Sequence, residues 1–138
     1  MHTSILLTVL LTLVWLPLQA QIRVQTDSSS TPDRVIYTLV QQQPEFSGGM
    51  NKLGQYIQEN LRYPKAAQAA GLAGRVFIRF LINKQGGIEK VQVLKGISPE
   101  LDAEAVRLVA SMPNWLPGKV DGQAVDCLYN LPINFSVR

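Results

Sequence analysis

Met112-Pro113-Asn114-Trp115-Leu116-Pro117-Gly118, then a turn at Asp121-Gly122, then Val125-Asp126-Cys127-Leu128-Tyr129-Asn130-Leu131-Pro132-Ile133-Asn134-Phe135-Ser136-Val137: this stretch decides the fold. In its second half Val125, Cys127, Tyr129, Leu131, Ile133, Phe135 and Val137 alternate with Asp126, Leu128, Asn130, Pro132, Asn134 and Ser136. A repeat of two residues is the mark of a strand with one buried face. Pro132 has no N–H to give to a ladder, which places such a strand at a sheet edge or a bulge. An edge strand with an apolar back needs protection or serves as a docking site for another strand. In the first half, Pro113, Pro117 and Gly118 fix the backbone around Trp115. That indole either plugs the end of the core or walls the edge strand.

The preceding segments have complementary patterns. Met50, Leu53, Ile57 and Leu61 recur at helical spacing, with Ser47 as the expected N-cap. Tyr63-Pro64 ends that helix and opens a short one over Lys65 to Ala70, closed by Gly71. Gly74 to Asn83 reads as a strand with Val76, Ile78, Phe80 and Ile82 on one face. Lys84-Gln85-Gly86-Gly87 suits a hairpin turn, and Ile88 to Leu94 is the partner strand, with Val91 and Val93 alternating. Ser98-Pro99-Glu100 starts a second main helix with Leu101, Ala105, Leu108, Val109 and Met112 inward, and Pro113 stops it. Val35 to Val40, rich in β-branched and aromatic residues, reads as a first strand. The expected architecture is α+β, in the order β-α-α-β-β-α-β, with two helices on one face of a small antiparallel sheet. A right-handed crossover places the last strand beside the first hairpin strand.

At 138 residues the chain has the length of one domain. Residues 1–20 are of another kind: Ile5 to Leu18 is almost wholly apolar and Leu18-Gln19-Ala20 ends on a small residue, as in a cleavable signal peptide. The segment Met1 to Ser4 lacks Lys and Arg, so an uncleaved inner-membrane anchor is the competing reading. Residues 21–34 read as a polar, Ser-rich flexible lead, and residues 35–138 as the folded domain. His2 is the single histidine and leaves with a cleaved signal, which removes Ser-His and Cys-His catalysis and His-ligated zinc. Cys127 is the single cysteine, so no intrachain disulfide forms, and its place on the apolar face makes it an inert thiol. The net charge of +3 is scattered, without a basic stripe interleaved with aromatics, so nucleic acid is not an expected partner. Glu100, Asp102 and Glu104 gather at a helix start, where acids are favourable without any catalytic role. Asp121 and Asp126 flank a turn and an outward strand face. No enzyme, cofactor or metal site is expected.

Taken together, the motifs resemble the TonB C-terminal domain family. The residues that carry the likeness are Tyr63-Pro64 before an Ala-rich helix, Gly74-Arg75-Val76 opening the hairpin, and Leu101-x-x-Glu104-Ala105. They continue with Met112-Pro113-x-Trp115-x-Pro117-Gly118, Gly122-x-x-Val125 and Pro132-x-x-Phe135, while Gln43-Pro44-Glu45-Phe46-x-Gly48-Gly49 is similar to a version found in Gram-negative bacteria with many such proteins. The resemblance implies a periplasmic binding domain that grips the extended Ton box of an outer-membrane transporter by strand addition, with force supplied by an inner-membrane motor. It implies a peptide site at Val125, Asp126, Cys127, Leu128, Tyr129, Asn130 and Leu131, with Trp115 beside it. Tyr63, Pro64, Pro113, Pro117 and Gly118 are then structural. A lead of about thirteen residues spans under ~50 Å at ~3.6 Å per residue, which argues against coupling to that motor. The partner is then an outer-membrane TonB-dependent transporter or another periplasmic protein. The rival reading is a structural or dimerising envelope module, joined by strand exchange, whose sheet edge is already capped.

Overall fold

The computed structural model describes residues 34–137, which form one compact unit. The expected signal peptide and all but the last residue of the expected lead lie outside the described residues. The elements run β1 (Ile36–Tyr37), α1 (Gly49–Asn60), α2 (Lys65–Ala69), β2 (Gly74–Ile82), β3 (Ile88–Lys95), α3 (Pro99–Ala110), β4 (Lys119–Val120), β5 (Gln123–Ala124) and β6 (Asp126–Phe135). The chain is thus α+β, and β4–β5 is a small separate hairpin at the Asp121-Gly122 turn.

The main sheet has the order β1-β6-β2-β3. β6 lies antiparallel beside β2 along its length, from Ile82↔Cys127 to Gly74↔Phe135, as the right-handed crossover requires. The sheet is not wholly antiparallel, because β1 joins β6 in parallel through Ile36↔Asp126 and Tyr37↔Cys127. β1 is also shorter than the expected Val35 to Val40. After Tyr37 the chain leaves the sheet, and Gln42 and Glu45 instead bridge to Lys119 and Leu116. On the far side β3 is bulged twice against β2, once opposite Phe80, where Lys90 takes a φ of 51°, and once at Leu94. Such bulges twist an exposed edge away from chance pairing.

One face of the sheet carries the core. Val76, Ile78, Phe80 and Ile82 of β2 and Leu131, Ile133 and Phe135 of β6 pack against Leu53 of α1, Ala67 of α2, and Leu101, Ala105, Leu108 and Val109 of α3. Each of the Val, Leu, Ile and Phe side chains contributes about 1.5–3 kcal/mol by leaving water, and the two alanines less. Three helices, rather than two, therefore feed this cluster.

α3 starts as its sequence dictates: the Ser98 hydroxyl accepts from the Leu101 N–H at 3.2 Å, and proline follows in the first turn. α1 does not. Its cap is Gly48, with φ 93° and no side-chain cap bond, so Ser47 is not the N-cap. Only glycine enters that left-handed conformation without strain. Met50, expected in the buried stripe, is 65% exposed, and Tyr56 packs against the core instead. Phe46 before the helix and Leu53 one turn on reach the core, while Met50 faces solvent.

Candidate functional site: the edge of the last strand

β6 has two environments along its length. On the β2 side every residue from Cys127 to Phe135 is paired. On the other side β1 pairs only at Asp126 and Cys127. From Leu128 to Phe135 no other strand lies on that side among the described residues. Pro132, opposite Phe77, falls within this open stretch, as its missing N–H demands.

The expected site residues divide accordingly. Leu131 is buried and Tyr129 half-buried; the Tyr129 ring lies 5.0 Å from that of Trp115 and 5.7 Å from that of Phe80. Burial pushes the Tyr129 phenol above its ordinary value. Leu128 is half-buried on the opposite face, across from the buried Leu81, and exposed Asn130 accepts from Arg79 Nε at 3.1 Å. Val125 precedes the strand, its N–H donating to the Gly118 carbonyl at 2.9 Å. Cys127 is buried, and desolvation raises its thiol pKa.

Trp115 is a core residue. It is 2% exposed, edge-on to Phe46 at 5.5 Å and to Phe80 at 5.5 Å, so its ring does not wall the exposed edge. The Trp115 backbone N–H donates to Gly86 O at 2.8 Å, fixing the β2–β3 turn beneath the Pro113–Pro117 loop. Gly86 has a φ of 86°, and a Cβ there would fall 1.8 Å from the Trp115 carbonyl oxygen. Tyr63 likewise serves structure, its ring edge-on to Phe135 at 5.6 Å and its hydroxyl donating to the Leu72 carbonyl. Pro64 caps α2, its carbonyl accepting from Gln68 N.

Asp126 departs from its expected outward, solvated place. It is 4% exposed and accepts from Lys84 N at 2.8 Å and from Arg34 Nε at 2.6 Å. The other two guanidinium nitrogens of Arg34 reach Glu89 at 3.0 and 2.7 Å, and Asn83 Nδ2 holds the same carboxylate at 2.9 Å. The Arg34 guanidinium accordingly holds Asp126 below the usual carboxylate range and Glu89 down at about 2, while the two carboxylates raise Arg34 above its ordinary value. Arg34 ends the supposed flexible lead, yet its side chain makes three hydrogen bonds to two carboxylates near the site. Neither it nor Glu89 was marked by any local pattern, because Arg34 and Asp126 are 92 residues apart.

Beside the far end of β6, Ile57, Leu61, Tyr63 and Asn134 line an open cleft of about 480 Å³. Among the described residues no group of three or more His, Cys, Asp or Glu is placed to hold a metal ion, and no helix is long and apolar enough to cross a membrane. The geometry offers backbone groups and an apolar-backed edge.

The solution structure of Helicobacter pylori TonB-CTD residues 194–285 is 27% identical, covering 63% of this chain and 91% of that one, with a TM-score of 0.48. That of residues 179–285 is 24% identical, covering 64% and 80%, with a TM-score of 0.49. The Pseudomonas aeruginosa TonB CTD is 30% identical, covering 56% and 78%, with a TM-score of 0.43. No curated protein matches. The family model described as Gram-negative bacterial TonB protein C-terminal matches residues 59–137, from the end of α1 through β6. That match takes in more than half of the chain, including the whole of the open strand, and the protein belongs to the TonB C-terminal family.

Proposed function

We propose that this is a non-enzymatic periplasmic binding domain that takes up an extended peptide, such as the Ton box of an outer-membrane transporter, as a further strand on β6. The observation that carries the reading is the open side of Leu128 to Phe135. That stretch is an apolar-backed strand, held on one side by β2 and bare of strand partners on the other among the described residues. Main-chain hydrogen bonds supply affinity in strand addition, and the side chains of alternate residues supply specificity. Pairing at Asp126 and Cys127 removes those two positions from the free edge, so the docking strand is centred on Leu128 to Leu131. Coupling to an inner-membrane motor forms no part of this reading.

Titration of the isotope-labelled full chain with Ton-box peptides of outer-membrane transporters tests it. The amides of 128–131 and their flanks are expected to shift, and Leu128→Pro, in a chain shown to remain folded, to abolish the shifts. Amides of 128–131 that stay unmoved by every peptide, and are already slow to exchange in the free chain, would refute strand addition. The second reading, a structural or dimerising module, is favoured by one feature, the cover that β1 gives to Asp126 and Cys127. Light scattering that shows a stable dimer in the free chain would support it.

A further inference from the structure

β1 occupies the start of the edge that the proposed ligand would use. It adds little apolar burial there: Val35 and Leu39 are exposed, Leu39 at 84%, and Ile36 and Tyr37 are only half-buried. Two residues of ladder are a weak tie, since short strands gain stability mainly from the apolar face they bury. The strong tie is polar. Arg34 spends its Nε and both terminal nitrogens on Asp126 and Glu89, carboxylates that Lys84 N and Asn83 Nδ2 already hold in place. Charge-assisted bonds of this kind are the stronger class, and the Asp126 end of the pair is nearly shut off from water.

From this we propose that segment 34–37 is an internal competitor strand, latched by Arg34, which keeps the first part of the β6 edge closed until an incoming strand displaces it. The inference rests on the strand-addition reading and adds regulation to that site. When β1 leaves, Asp126 and Glu89 stand without their cation beside a newly opened edge. The strand that replaces β1 is therefore one that brings its own guanidinium or ammonium group just ahead of an apolar pair.

The probe is a synthetic peptide with the sequence of residues 34–40, Arg-Val-Ile-Tyr-Thr-Leu-Val, added in trans to the full chain. A site that is open only part of the time has its apparent affinity reduced by the open fraction. Arg34→Ala in the full chain is therefore expected to tighten binding of this peptide by about tenfold or more, and a peptide with alanine in place of its arginine to lose that gain. Ile36→Pro, which deletes a β1 N–H and alters no residue of β2, β3 or β6, is expected to act in the same direction. Exchange protection of the β2–β6 amides shows that each variant keeps its sheet. If both folded variants bind the peptide no better than the unaltered chain, the latch is overturned. Transporter peptides, run in parallel, separate the two readings. If they bind the unaltered chain at 128–135 while neither Arg34→Ala nor Ile36→Pro improves binding of the 34–40 peptide, the latch fails while strand addition stands. If no peptide binds the unaltered chain or either variant, strand addition itself fails.

Discussion

Trp115 carries its indole Nε1 into the core without an acceptor, the one buried side-chain nitrogen or oxygen so placed among the described residues. An orphaned buried donor costs about 1–3 kcal/mol, which the ring offsets through its contacts with Phe46, Phe80 and Tyr129. Trp115→Phe keeps most of the aromatic packing and removes the orphan, so its stability is expected to lie within about 1 kcal/mol of the parent chain. Trp115→Ala leaves a cavity and is expected to cost about 3–5 kcal/mol. Urea denaturation of the two variants checks both figures, and equal losses would contradict the assignment. Cys127 supplies a second check at this scale. Its thiol is buried and its pKa raised by desolvation, so the native chain is expected to resist a maleimide that labels it fully in denaturant.

Between elements, the joint that matters most is made by Glu104. One of its oxygens accepts from the Arg62 N–H at 2.8 Å, just past the end of α1. Both oxygens meet Arg107, at 2.6 and 2.8 Å, and Arg107 in turn donates to Asn60 O. Burial alone would raise the Glu104 carboxyl, but the Arg107 guanidinium and the Arg62 N–H outweigh it and lower the pKa. This side chain therefore ties α3 to the corner between α1 and α2, in addition to whatever it does for the helix dipole. Glu104→Ala is expected to destabilise the fold by about 2 kcal/mol, since it strands one partly buried cation and one backbone donor. Thermal denaturation monitored by circular dichroism gives the value. A loss below about 0.5 kcal/mol would reduce Glu104 to a surface charge. The start and stop of α3 could be read from residues 98–113 because serine, proline and the apolar stripe act within one or two turns. The Glu104 joint could not, because Asn60 and Arg62 belong to another element.

For the molecule as a whole, the Arg34 latch and the Glu104 joint share a dependence on ionised carboxylates. Glu89 falls from 4.5 to about 2 in the folded chain, and Asp126 and Glu104 are also lowered. A carboxyl whose folded pKa lies below its unfolded one stabilises the fold fully above the unfolded value and loses that contribution as pH falls through the folded one. Unfolding free energy is therefore expected to decline as pH drops from about 4.5 towards about 2. Arg34→Ala is expected to flatten the part of that decline that belongs to Glu89 and Asp126. Denaturant titrations of both chains across this range provide the test, and superimposable pH profiles would show that the latch adds nothing to stability.

Residues Met112 to Val137 and the segments before them determined most element types, the buried face of β6, the unpaired stretch signalled by Pro132 and the family, because period, turn chemistry and proline geometry act between neighbours in the chain. The docking strand expected at Val125 to Leu131 came from the family resemblance, and the structure leaves open only the stretch from Leu128 onward. Only the tertiary structure decided which way Trp115 faces, that Asp126 is buried, that Met50 is exposed, and that β1 lies parallel to β6 over two residues. Those outcomes depend on groups that meet only when the sheet closes. Arg34 is a lone cation at the end of a polar lead until β6 and β3 bring Asp126 and Glu89 to it.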